Sequence, residues 1–148
     1  MEERIVEAFP NAYLGALIHE LDLPVLKRDA SDKFWSCLVD EPDRLATHFA
    51  RLLPGRTLST DLPSVTDHEE RAGVVCALTA FSVAMGDHVA VGDPQDGDII
   101  LPACSEWGRR NGTDRAWLDL VLRDNLVTVR AGTRDCRSMP TARVHGIA

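Results

Sequence analysis

Aromatic residues are scarce in this chain, at 5% with a single tyrosine, and no apolar run is long enough to cross a bilayer. A transmembrane segment is therefore excluded at the level of sequence, and no membrane partner is expected. The start Met1-Glu2-Glu3-Arg4 has no basic leader, no long apolar stretch and no cleavage pattern, so a cytoplasmic protein is expected. Basic residues are the minority, 16 against 23 acidic ones, and the net charge of -7 supplies no global field that would draw nucleic acid onto the surface. Cys37, Cys76, Cys104 and Cys136 lack the close paired spacing of a zinc site and any secretory context for disulfides, so they read as idle or buried thiols. No nucleophile elbow, phosphate-cradling glycine loop or dinucleotide fingerprint is present, and the Gly92 to Gly97 stretch reads as a turn.

What is there suffices for one core. A chain of 148 residues with 45% hydrophobic content buries one sizeable core, whereas two domains would each be marginal, so residues 1–148 are read as a single α/β domain. Ile5 to Phe9 is a β-type run that ends at Pro10, and Asn11 is placed to cap a helix over Ala12 to Leu21. Phe34, Trp35 and Leu38 share one face of a second helix. Leu45, Phe49 and Leu52 recur at helical spacing until Pro54-Gly55. Arg56 to Val65 reads as a loop. Thr66-Asp67-His68-Glu69 matches a capping box and opens a helix to Met85, with Gly86 as its stop. His88 to Val91 and Asp98 to Leu101 form a hairpin across Asp-Pro and Asp-Gly turn residues. Pro102 closes it and Trp107 is a candidate anchor. A C-terminal helix over Thr113 to Leu122, with Trp117, Leu118 and Val121 inward, and a late strand over Leu126 to Val129 follow. The tail from about residue 130 has little periodicity and is expected to fray.

Two features of this pattern carry candidate chemistry. Glu69, Gly73, Cys76, Ala77, Ala80 and Ala84 fall on one helix face, and the small ones predict close packing on a sheet, which would bring Asp67 or Glu69 toward Glu7. Carboxylates gathered in this way hold Mg²⁺ or Mn²⁺ through hard oxygen ligands. Acids in a first helical turn also favour the macrodipole with no further role, and both readings stand at this level. Ile5, Glu7 and Phe9 alternate onto one strand face, so an inward Ile5 and Phe9 imply an inward Glu7, which is costly unless paired or metal-bound. His68, beside Asp67 and Glu69, is a candidate contact for a phosphate or a water. His19, His48, His88 and His145 share no ligand spacing and read as surface or core residues.

The residues Val6-Glu7-Ala8-Phe9-Pro10, His68 to Ala72 running into Val75-Cys76-Ala77-Leu78-Thr79-Ala80, then Val91-Gly92-Asp93 and Gly97 to Pro102, resemble the domain-of-unknown-function 429 family. The resemblance spans about residues 5–107, leaving 108–148 as a C-terminal extension, and the helix motif with its following hairpin is the most specific part. The resemblance implies a partial RNase H-like fold, ordered strand, three helices and hairpin, then a helix and a late strand. It implies a two-metal nuclease-type site in which acids from a first strand, a fourth strand and a late helix converge. Glu7 matches the acid of the Glu-x-x-Pro strand, and the Asp67 to Glu70 cluster matches the acidic start of the late helix.

On that basis Glu7, Asp67 and Glu69 are expected as catalytic metal ligands for Mg²⁺ or Mn²⁺. His68 and Arg71 are expected as contacts to a nucleic acid or nucleotide substrate. The family's opening β-meander, with an Asp on its first strand, has no counterpart ahead of Ile5. The expected consequence is a bare sheet edge, covered by a second copy or another chain, and weakened metal affinity. Two functions remain open from the sequence: metal-dependent phosphodiester hydrolysis, and a non-catalytic remnant or protein-interaction domain whose acids cap a helix.

Overall fold

A computed structural model describes residues 6–22, 30–40, 44–93, 97–113, 116–125 and 127–132. Among these the chain forms an α/β fold with a mixed four-stranded sheet. Strand β1 (Val6–Ala8) leads directly into helix α1 (Pro10–Leu17), because Phe9 is still extended and Pro10, whose ring fixes a helical φ, takes the first helical position. Asn11 therefore lies inside the first turn and does not cap it. The helix also ends earlier than the apolar pattern suggests. Ile18 turns extended, its carbonyl accepts a hydrogen bond from Trp117 Nε1 at 2.8 Å, and the chain passes into a 3-10 turn over Glu20–Asp22.

Helices α2 (Ala30–Asp40) and α3 (Arg44–Leu52) follow as expected, with Phe34, Trp35 and Leu38 buried on one and Leu45, His48, Phe49 and Leu52 on the other. The loop after α3 contains a 3-10 turn, Leu62–Ser64, which buries Leu62. Helix α4 (His68–Met85) starts one residue later than a Thr66 cap would place it. Asp67 is the cap, and its Oδ1 accepts from the Glu70 amide at 3.0 Å. Gly86, at φ 67°, ends the helix in the left-handed conformation that glycine adopts without penalty.

The face of α4 that points inward is not the small-residue face. Val75, Leu78, Thr79 and Ser82 are buried, whereas Glu69, Gly73, Cys76, Ala77, Ala80 and Ala84 are exposed. The physical reason is area. Burying a valine or leucine side chain stabilises by about 1.5–3 kcal/mol, and glycine and alanine have little surface to remove from water. The larger residues thus set the helix rotation.

Strands β2 (His88–Asp93) and β3 (Gly97–Pro102) form the antiparallel hairpin, β1 adds parallel to β3, and β4 (Val129–Ala131) adds antiparallel to β2, for the order β1-β3-β2-β4. β1 is thus an edge strand. Its register sets Glu7 beside Ile99 and Ala8 beside Ile100. Glu7 is exposed and Phe9 is 47% exposed, so the alternation that suggested an inward Glu7 is overturned. A charged side chain at a sheet edge reaches water without leaving the strand. Ile5 lies outside the described residues.

The late strand sits a few residues further on than expected, so residues 130 and 131 are part of the sheet, and Gly132 follows it by donating to the His88 carbonyl at 2.7 Å. Residues 133–148, the rest of the predicted tail, lie outside the described set. Helix α5 (Trp117–Asp124) begins after the predicted start and buries Leu122, while Val121 is 44% exposed. Its inward face is therefore Leu118 and Leu122, at i and i+4.

Two hydrophobic clusters meet at α1. Tyr13, Leu14 and Leu17 join the residues of α2, α3 and α4, whereas Ala12 and Ala16 join Val89, Leu101, Trp107 and Leu122 over the sheet. Trp107 anchors the segment after β3 by donating Nε1–H to the Pro102 carbonyl at 2.8 Å. The contact that positions the cleft described next is made by Gly108. Its amide donates to the Ala16 carbonyl at 2.7 Å, and a Cβ there would lie 1.6 Å from the Ile18 carbonyl oxygen. Only glycine lets this segment lie so close against the end of α1.

Candidate functional site

The three acids singled out by sequence, Glu7, Asp67 and Glu69, are exposed. Glu7 is exposed at the sheet edge, Glu69 is exposed on α4, and one carboxylate oxygen of Asp67 is engaged as the helix cap. Among the described residues, no group of three or more His, Cys, Asp or Glu side chains lies close enough to hold a metal ion. His68 and Arg71 do come together, on an acid the sequence reading passed over. Asp32 Oδ1 accepts from Arg71 NH1 at 2.8 Å and faces His68 Nδ1 at 3.4 Å. The Arg71 hydrogen bond, assisted by His68, holds the Asp32 carboxyl below the usual carboxylate range. Arg71 is itself pinned, with Nε donating to the Val65 carbonyl at 2.8 Å and its guanidinium 5.8 Å from the centre of the Trp35 ring. These residues line a cavity of about 190 Å³ whose walls include Phe9, Pro10, Leu14 and Val75.

A larger cleft opens where the end of α1, the start of α3 and the segment around Trp107 meet. It measures about 640 Å³ and is lined by His19, Arg44, Thr47, His48, Ser105, Glu106 and Arg109, among others. Gly108 brings the next residue against α1, and the Arg109 amide donates to His19 Nδ1 at 2.7 Å. A neutral imidazole has one N–H and one lone pair. Nδ1 accepts, so the N–H sits on Nε2. The Arg44 guanidinium lies beside it, and both side chains line the cleft with Arg109.

The floor is a buried polar chain. Tyr13, His48 and Ser82 are 0%, 1% and 0% exposed, and the Tyr13 hydroxyl lies 2.8 Å from His48 Nε2 and 2.7 Å from Ser82 Oγ. His48 Nδ1 faces Glu106 Oε2 at 3.3 Å. That hydrogen bond, with the Arg51 charge adding to it, holds Glu106 below the ordinary carboxylate value against the opposing effect of burial. Glu106 is therefore ionised and accepts from His48 Nδ1–H, which leaves Nε2 to accept from Tyr13, whose oxygen in turn accepts from Ser82. Burial pushes the Tyr13 hydroxyl up to about 12, so it remains a donor at neutral pH. Arg51 Nε stands 2.9 Å from Glu106 Oε1 as an ion pair without hydrogen-bond alignment, and its NH1 reaches Asp87 at 2.5 Å. With both ring nitrogens engaged, His48 positions Glu106.

One signal for this site was present in the sequence. His48 falls at i+3 from Leu45 and i−4 from Leu52, squarely on the buried stripe of α3, where a histidine needs a polar partner. His19, Arg44, Glu106 and Arg109 carry no local pattern, since a tertiary contact at Gly108 brings them together. Among the described residues Cys37, Cys76 and Cys104 form no disulfide, and Cys136 lies outside that set. No family model, no curated protein and no solved structure matches the chain.

Proposed function

We propose that the chain is a binding domain for a small anionic molecule bearing a phosphate or carboxylate, taken up in the cleft between α1, α3 and the Gly108 segment. The single observation that carries this reading is that the side chains of Arg44, Arg109 and His19 line one cleft. A phosphate or carboxylate there accepts charge-assisted hydrogen bonds from the guanidinium groups. Glu106 does not cancel the attraction, because its charge is held by His48 and Arg51 on the floor. Inorganic phosphate titrated calorimetrically into the protein is expected to bind saturably. Arg44→Met should weaken that binding by about 10- to 100-fold, the equivalent of one charge-assisted hydrogen bond. Absence of saturable heat, or equal binding by a folded Arg44→Met variant, would sink the reading.

Metal-dependent phosphodiester hydrolysis, the activity implied by the family resemblance, is the second reading. One observation favours it: His68 and Arg71, expected to contact substrate, line a common cavity with Asp32 beside Phe9 and Pro10. Mn²⁺ titration separates the two. Hydrolysis carried by Glu7, Asp67 and Glu69 requires binding heat that Glu7→Gln abolishes, and anion binding at the His19 cleft requires none.

A further inference from the structure

The smaller cavity, where the first turns of α1, α2 and α4 meet, shares no lining residue with the cleft. Its volume of about 190 Å³ suits a single ring, since an apolar cavity of about 150 Å³ is enough to take benzene. The interior is apolar because Leu14 and Val75, 2% and 0% exposed, lie on the inward faces of α1 and α4, and Ala72, one turn before Val75, is too small to close the space. Phe9, half-exposed at the end of β1, completes this side. The polar wall is one cluster, Asp32 with Arg71 and His68, and it is fixed in place. Arg71 is committed to Asp32, to the Val65 carbonyl and to the Trp35 ring. The contacts that Arg71 and His68 make to Asp32 both fall on Oδ1. An ionised carboxylate accepts through both oxygens and donates through neither, so Oδ2 is an acceptor at the wall. A neutral His68 ring that donates from Nδ1 presents Nε2 as a second acceptor. The surrounding charge has the same sign. Asp67, Glu69 and Glu70 flank His68 and are exposed, as is Glu7 two residues before Phe9. These acids outweigh the three helix starts, each worth roughly half a unit of positive charge.

We propose that this cavity is a second binding site, for a small primary amine whose body is one six-membered ring or a branched chain of similar size. The ammonium group donates to Asp32 Oδ2 and His68 Nε2, and the body fills the space between Phe9, Leu14 and Val75. An ammonium is a donor-only head, which matches a wall of acceptors, and the nearby acids favour its charge. An alcohol of the same shape donates once and carries no charge. A carboxylate offers acceptors alone and meets Asp32 as a like charge. The Asp32 side chain is about half exposed, so water screens part of the attraction and burial of the apolar body supplies the rest of the binding. The site uses no residue of the cleft and no metal, so it is independent of both readings of the function.

Calorimetric titration with benzylamine, benzyl alcohol and benzoate, three ligands of one shape that differ in the head group, tests this in the presence of a metal chelator. Benzylamine should bind saturably, about 10-fold more tightly than benzyl alcohol and at least about 100-fold more tightly than benzoate, the ratios expected for one charge-assisted hydrogen bond gained and one like-charge contact avoided. Asp32→Asn should remove the preference for the amine over the alcohol. Ala72→Leu, which fills the cavity from a helix that accepts leucine, should abolish binding of both. Phosphate titration should be unchanged in both variants, because neither residue lines the cleft. Absence of saturable benzylamine binding, benzoate binding as tight as that of benzylamine, an amine preference that survives in a folded Asp32→Asn variant, or undiminished binding to Ala72→Leu would each overturn the inference. Failure of phosphate to bind would count against the cleft alone.

Discussion

Replacing Tyr13 with phenylalanine removes the one hydroxyl that links three helices, and the structure fixes how much should be lost. That hydroxyl is shared between His48 Nε2 at 2.8 Å and Ser82 Oγ at 2.7 Å, in a place that no water reaches directly. Two neutral hydrogen bonds contribute about 0.5–1.5 kcal/mol each, and a buried acceptor left without a donor costs about 1–3 kcal/mol. Tyr13→Phe should therefore destabilise by roughly 2–6 kcal/mol, which for a chain of this size lowers the melting temperature by roughly 4–24 °C. The pH dependence makes the prediction sharper. With its folded value raised from 10.0 to about 12, Tyr13 contributes stability that is fully present below pH 10 and is lost as pH rises toward 12. A shift of that size is worth about 3 kcal/mol across the window.

The chain has a single tyrosine, so tyrosinate absorbance reads this group alone, and chemical denaturation at stepped alkaline pH reads the stability. Wild type should ionise near 12 while folded and near 10 in denaturant, and the phenylalanine variant should lack this part of the alkaline slope. A variant as stable as wild type, with an unchanged slope, would refute the buried relay.

Gly108→Ala places a methyl group 1.6 Å from the Ile18 carbonyl oxygen, a backbone atom that cannot step aside cheaply. A loss of at least about 1–3 kcal/mol in denaturant melts is expected, together with weaker phosphate binding, because Arg109 no longer reaches His19. Glu106, whose folded pKa is depressed, contributes stability that is present above its ordinary value of 4.5 and is lost as pH falls through the folded value. Glu106→Gln should thus be less stable than wild type at pH 7 and lose less on acidification, as measured by thermal melts at stepped pH. Asp67→Ala removes the α4 cap at a cost of about 1 kcal/mol, and phosphate titration of this variant should match wild type because the cap is not part of the cleft.

The elements were legible wherever a long apolar stripe met a strong stop signal. Helix α3 and its stop at Pro54-Gly55, the Gly86 end of α4 and the β2–β3 hairpin all follow from local chemistry. The errors share a cause. The inward faces of α4 and β1 were inferred from small or alternating residues, and rotation was decided by the bulk of Val75 and Leu78 on one and by edge position on the other. The site was less legible still. A buried histidine on the α3 stripe could be read from spacing, but its partner Glu106 is 58 residues away, and His19 meets the Arg109 amide across 90 residues. Such pairings are products of the tertiary approach at Gly108, and no periodicity within a window of sequence encodes them.

The central claim is that the cleft lined by His19, Arg44 and Arg109 takes up an anion. Nitrogen-15 spectroscopy of the His19 ring tests it most directly. The account predicts a neutral ring with its proton on Nε2 and a bare Nδ1, and an Nε2 resonance that moves saturably as phosphate is added. A proton on Nδ1, or an Nε2 resonance indifferent to phosphate, would contradict it.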